Sequence, residues 1–170
     1  CQRPLADPNN IEKLISNLNK AERPIIISGS GVIWSQASKE MTRFVESLGI
    51  PFYTTPQGRG VLPDDHELSW PTMRSTAFRE ADLVIVAGTR MNYISGHISA
   101  PRFKKDLVIA RIDIDPEDVS SSARHVDIGL IGDCKSIFEQ LINASDGKVN
   151  SSNYSNWRQY LESGAAEKRQ

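Results

Sequence analysis

"IIISGSGVIW" (residues 25–34) joins a run of β-branched apolar residues to a turn that carries Gly29 and Gly31. An apolar run this short, entered from Pro24, predicts a strand covered on both faces. A glycine-bearing turn after a buried strand lets backbone approach a phosphate closely, so the first functional question is whether a nucleotide sits there.

The chain on either side repeats the same rhythm. Upstream, "DPNNIEKLISNLNKAERP" spaces Ile11, Leu14, Ile15 and Leu18 as one face of a helix, with Asp7 as cap and Pro8 in the first turn. Downstream, "SKEMTRFVESLG" returns to helical spacing through Met41, Phe44, Val45 and Leu48, with Gly49 as its stop. "IPFYTT" predicts a second strand, weakened at its start by Pro51, and residues 55–73 read as irregular. "RSTAFREA" predicts a short helix, followed by strands in "DLVIVAG" (82–88), "LVIARIDID" (107–115) and "VDIGLIGD" (126–133). "CKSIFEQLINA" closes the series as a helix with Ile137, Leu141 and Ile142 turned inward. Strands alternating with helices predict an α/β fold, a doubly wound, mostly parallel sheet of five to six strands with helices on both faces, Rossmann-like in plan. Ligands of such sheets sit beyond the carboxyl ends of the strands. After Ala144 the chain turns polar and aperiodic, which reads as a linker, and "WRQYLESGAAEKRQ" reads as the start of a helix with nothing left to pack against. The expected division is a linker over 1–7, a nucleotide-binding-like domain over 8–144, and a linker leading into a following domain over 145–170.

Composition narrows the partners. The net charge is −1 and no basic block occurs, so the electrostatic footprint of a nucleic-acid binder is missing. No run of about 18 apolar residues is present to span a membrane. Cys1 and Cys134 make neither a disulfide framework nor a metal spacing, which fits a reducing, cytoplasmic compartment, or a peroxisome in a eukaryotic cell. A chain that opens on Cys1 reads as processed or excised, and Cys1 as a boundary residue rather than an amino-terminal nucleophile.

The polar candidates gather where the architecture wants a ligand. Gly29 and Gly31 follow the first strand; Gly58, Arg59 and Gly60 lie beyond the second; Gly88, Thr89, Arg90 and Asn92 follow the third. Asp113, Asp115 and Glu117 end the fourth, and Gly132 with Asp133 the fifth. Arg90 has the fork that pairs with phosphate, and a carboxylate at a strand end, best Asp113, can accept both ribose hydroxyls. Each has a plainer reading: glycines serve turn geometry, and "DIDPED" caps a helix in solvent. Two nucleotide motifs are excluded. Trp34 occupies the third-glycine position of G-x-G-x-x-G, Thr54 and Thr55 stand where the usual ribose acid would be, and no Walker sequence occurs. His66, in "PDDHE", reads as solvated, His97 as a surface residue, His125 as uninformative, and Cys134 as a small residue at the core's edge. No nucleophile–base triad or carboxylate dyad can be assembled.

Together "RPIIISGSGV", "LGIPFYTTPQGRGVLPDDHELSW", "READLVIVAGTRMNY", "LVIARIDIDPEDV" and "IGLIGDCKSIFEQL" resemble the central domain of thiamine-diphosphate-dependent enzymes, over roughly residues 8 to 144. "GTRMNY" and "TPQGRGVLPDDH" are most similar to the oxalyl-CoA decarboxylase and 2-hydroxyacyl-CoA lyase branch, with the acetolactate synthases as the competing branch. The resemblance implies a central domain flanked by N- and C-terminal domains that hold thiamine diphosphate and Mg²⁺, in a homo-oligomer, dimer or tetramer. The parent reaction it implies is C–C cleavage beside a carbonyl, with the cofactor as electron sink. The resemblance assigns ligand contacts to Ser30 and Gly31, Arg90, Asp113 and Ile114, and Asp133 and Cys134. It implies ADP or coenzyme A as ligand, with FAD less expected because the acyl-CoA branch does without it. Ser30 departs from the basic or small residue frequent at its position. The family's activating glutamate and "GDG…N" motif are missing, and "IGDCKS" is only superficially like the latter, so catalysis is assigned to other domains. Two other readings stand beside this one: an interface domain whose nucleotide site has decayed, and a free-standing NAD-consuming enzyme of sirtuin type, whose zinc cysteines are missing.

Overall fold

The computed structural model describes residues 4–29, 31–32, 36–54, 66–88, 106–114 and 126–168. Asp7 caps the first helix, α1 (Pro8–Lys20), its carboxylate accepting the Asn9 N–H at 2.9 Å. Proline suits the next position because its missing N–H would have no partner in the first turn. Ile11, Leu14, Ile15 and Leu18 are buried as their spacing predicts. The apolar run that follows is strand β1 (Pro24–Ser28), buried at every position. Helix α2 (Ser38–Leu48) buries Met41, Phe44, Val45 and Leu48, and it stops at Gly49, whose φ of 69° is left-handed.

Beyond it come strand β2 (Phe52–Thr54), a 3₁₀ turn at Pro71–Met73 and helix α3 (Arg74–Glu80). Strands β3 (Leu83–Ala87), β4 (Val108–Asp113) and β5 (Ile128–Ile131) lead to helix α4 (Cys134–Ser145). The five strands form one parallel sheet in the order β2-β1-β3-β4-β5. The chain winds outward from β1 to β2, then returns to the far side of β1, so the sheet is doubly wound and its order reverses between β1 and β3. β1 and β3 are buried throughout, which explains their unbroken apolar sequence. α1 and α2 both pack against α4, with Phe44 and Phe138 in tilted ring contact at 5.9 Å. Register aligns Ser28, Ala87 and Ile112, so Gly29, Gly88 and Asp113 follow together at one edge.

The expectation that the C-terminal segment finds nothing to pack against is corrected. Ser151–Tyr154 form a 3₁₀ turn and Ser155–Lys168 a helix, α5, which bury Tyr154, Trp157, Leu161 and Ala165 in the same core. The anchors are backbone carbonyls at element junctions. Trp157 Nε1–H donates to Pro24 O at 3.0 Å, the Tyr154 hydroxyl to Leu18 O, and Arg158 Nη1 to Gly49 O at 2.9 Å. Only a narrow stripe of α5 is buried, which is why its composition reads as polar. At the other terminus Ala6 exchanges two hydrogen bonds with the Gln140 amide, at 2.9 and 3.1 Å. His66 also departs from expectation. Its Nδ1 accepts the Leu68 N–H at 3.0 Å and its Nε2 meets Glu46 Oε1 at 2.9 Å, so the ring is a structural brace rather than a solvated group. Among the described residues no helix is long and apolar enough to cross a membrane.

Candidate functional site

The carboxyl edge of the sheet is stitched by backbone hydrogen bonds from one strand end to the next. Gly29 N–H donates to Ala87 O at 2.9 Å, Gly31 N–H to Gly88 O at 2.8 Å, and Gly88 N–H to Ile112 O at 3.0 Å. Gly132 N–H continues the line to Asp113 O at 2.8 Å. The predicted positions Gly31, Asp113, Ile114, Asp133 and Cys134 therefore lie along one edge. Ser30 and Arg90 fall outside the described residues, as do Gly58, Arg59, Gly60, Asp115 and Glu117.

The glycines here have a reason beyond phosphate approach. A Cβ on Gly31 would lie 2.7 Å from Gly88 Cα, and one on Gly88, whose φ is +66°, would lie 2.6 Å from Val32 N. The two turns cross so closely that only hydrogen side chains fit. This contact holds the β1 and β3 ends together at the point where strand order reverses.

Asp113 ends β4 with its side chain 16% exposed, and its Oδ2 accepts from Arg111 Nη2 at 2.9 Å. Arg111 itself is wholly buried within the strand. Sequence reading passed over it because it stands inside "LVIARIDID"; the available signal was its spacing of two from Asp113, which puts both side chains on one face. Ile114 follows, 63% exposed, an apolar side chain at the strand end. The edge thus presents a carboxylate braced from inside beside one exposed isoleucine side chain, a hydrogen-bond acceptor next to an apolar contact.

Asp133 and Cys134 are engaged differently. The Asp133 carboxylate caps α4, accepting from Ser136 N–H at 3.1 Å, and its own N–H donates to Pro4 O at 2.9 Å. The Cys134 thiol is buried at the core's edge. Pro4 also covers Gly132, whose Cβ would lie 2.9 Å from the Pro4 carbonyl. At β2 the Thr54 carbonyl accepts from Arg74 Nη1 at 2.9 Å, and Arg74 lies over the Phe78 ring at 4.8 Å. A separate cleft of roughly 480 Å³ opens near the start of β2, walled by Trp70, Glu46, Glu67, Glu162 and Arg158. Trp70 Nε1–H donates to Glu162 Oε2 there at 2.7 Å. Among the described residues no three His, Cys, Asp or Glu side chains are grouped to hold a metal ion.

Comparison with known proteins places this architecture. The family model described as "Thiamine pyrophosphate enzyme, central domain" matches residues 11–141. The chain is 38% identical over 129 residues to the 2-hydroxyacyl-CoA lyase of Arabidopsis thaliana, covering 76% of this chain and 22% of that protein. It is 35% identical over 135 residues to the oxalyl-CoA decarboxylase of Escherichia coli K12, covering 79% and 24%. The crystal structure of benzoylformate decarboxylase from Polynucleobacter necessarius superposes with a TM-score of 0.69 at 20% identity, over 88% of this chain and 28% of that one. The chain thus spans about a quarter of the length of these relatives.

Proposed function

The chain belongs to the thiamine pyrophosphate enzyme central-domain family, and on that premise we propose that it is the nucleotide-anchoring domain of a C–C lyase or decarboxylase that acts on acyl-CoA-type substrates. In this reading the domain holds the ADP part of a nucleotide or of coenzyme A at the strand ends. It supports assembly of a homo-oligomer and leaves the chemistry to N- and C-terminal domains of the same protein, with residues 145–170 leading toward the latter. Thiamine diphosphate supplies the electron sink in those domains. The described residues do not fit it: the Asp133 carboxylate is taken up by the α4 N-terminus, and Gly132 is covered by Pro4. No step of the reaction is therefore routed through the described residues.

One observation carries the nucleotide reading, the Asp113 carboxylate fixed at the β4 end beside exposed Ile114. Gly31 and Arg90 would face the phosphates. A second reading also has an observation behind it. The N–H groups of Gly29, Gly31, Gly88, Gly132 and Asp133 are all satisfied by the chain's own carbonyls. A domain whose phosphate cradle is closed in this way would serve as interface alone.

Thermal unfolding with ADP, coenzyme A, FAD and NAD, each at about 1 mM, separates these readings. A ligand at about 100 times its Kd stabilises by roughly 2.7 kcal/mol, or ~5–10 °C for a chain of this size. A rise with ADP and coenzyme A that Arg90→Ala removes supports the nucleotide reading. A rise with FAD alone moves the parent enzyme toward the acetolactate synthases, and no rise with any of them favours the interface reading.

A further inference from the structure

We propose that Arg111 is the positioning residue of the strand-end nucleotide site: it orients the Asp113 carboxylate toward the ribose diol and offsets its charge toward an anionic ligand. This inference rests on the nucleotide reading above.

A guanidinium with no exposed surface in a central strand is not what the fold requires. An apolar side chain of similar volume packs such a position as well or better, because it carries no desolvation penalty. Arg111 is flanked in register by Val86 of β3 and Gly129 of β5, one small and one lacking a side chain. Its Nη2 reaches Asp113 Oδ2 at 2.9 Å, a charge-assisted bond between side chains two apart on one strand face.

Asp113 is built to be aimed. Its carbonyl is held by Gly132 N–H at 2.8 Å, so the strand end is fixed and the carboxylate rotamer is the remaining freedom. The planar guanidinium removes that freedom from inside the sheet while the carboxylate stays 16% exposed to the outside. The charge argument points the same way. A lone carboxylate beside a diphosphate repels it, whereas a carboxylate paired with a buried cation offers acceptors without net repulsion.

The test is isothermal titration of the chain with ADP and with uncharged adenosine, for wild type, Arg111→Met, Arg111→Lys and Asp113→Asn. Arg111→Met leaves the carboxylate unaimed and its charge uncompensated, so it should weaken ADP about tenfold and adenosine by less. Arg111→Lys keeps the charge but not the fork, so it should weaken both ligands to a similar, smaller extent. In the Asp113→Asn background Arg111→Met should add little. If Arg111→Met folds and binds ADP within twofold of wild type, Arg111 serves the fold only and the inference is overturned. Should that variant fail to fold, Arg111→Lys decides: unchanged affinity for both ligands overturns the inference. Wild type that binds neither ADP nor adenosine defeats the nucleotide reading itself, and the inference falls with it. ADP binding that ignores Arg111 leaves the reading standing.

Discussion

At Ser28 the sheet carries a hydroxyl with no exposed surface, and among the described residues no group pairs with its Oγ. A buried, unpartnered hydroxyl costs about 1–3 kcal/mol relative to one that stays hydrated. Ser28→Ala should therefore leave stability unchanged or raise it by up to ~2 kcal/mol in urea unfolding; a loss of more than about 1 kcal/mol would mean that the hydroxyl has a partner in solution. Residue by residue, the sequence was most legible where a local rule decides. Asp7 as cap, Gly49 as stop and Ile11, Leu14, Ile15 and Leu18 as one face all follow from spacing within one turn or two. Arg111 was not legible, because a charged residue inside an apolar run shows its role only when the strand end and its carboxylate are known. Gly31 and Gly88 were legible as strand-end turn glycines, but not as neighbours of one another. The turn at Gly31 and Val32 crosses the one at Gly88, a contact between residues 57 apart in sequence for Gly31 and Gly88, which no local pattern reports.

Among the elements, α5 shows how a polar-looking segment becomes structural. It buries Trp157, Leu161 and Ala165 along a single stripe, and hydrogen bonds to distant carbonyls fix its place. Such anchors have no signature in the sequence of the helix itself, so the segment read as a linker. The Tyr154 phenol just before it is pushed above the ordinary phenol range, first by burial and then by Asp82, with Arg158 opposing. Burial raises the Tyr53 phenol of β2 in the same direction, against Arg74. The folded state thus holds these two protons more tightly than the unfolded chain does. Their contribution is full below about pH 10, the unfolded phenol value, and is lost as pH rises beyond it. Urea unfolding at pH 8 and near pH 11 should show stability falling with alkalinity, and Tyr154→Phe should make that fall shallower. At pH 8 the same substitution costs about 1 kcal/mol, because Leu18 O loses its donor. An identical alkaline slope in both proteins would refute burial of Tyr154 as its cause.

Across the whole molecule, the sheet order β2-β1-β3-β4-β5 puts the reversal between β1 and β3, and the crossed glycine turns sit at that point. This plan was legible because β1 and β3 are unbroken apolar runs and helical spacing stands between β1, β2 and β3. The candidate site was legible only in outline. Strand-end position picked out Asp113 and Asp133, and the family resemblance added Ile114 and Cys134; neither reading could show that the Asp133 carboxylate caps α4 and that its N–H meets the Pro4 carbonyl. Membership of the thiamine pyrophosphate enzyme central-domain family accords with the α/β plan and its five-stranded parallel sheet. What decides the account is where an adenine nucleotide touches the chain. Amide chemical shifts of the isotope-labelled protein, followed as ADP is added to about 1 mM, should change at Gly31, Gly88, Ile114 and Gly132 around one edge. Spectra that do not respond to ADP, or shifts confined to the cleft beside Trp70, would contradict it.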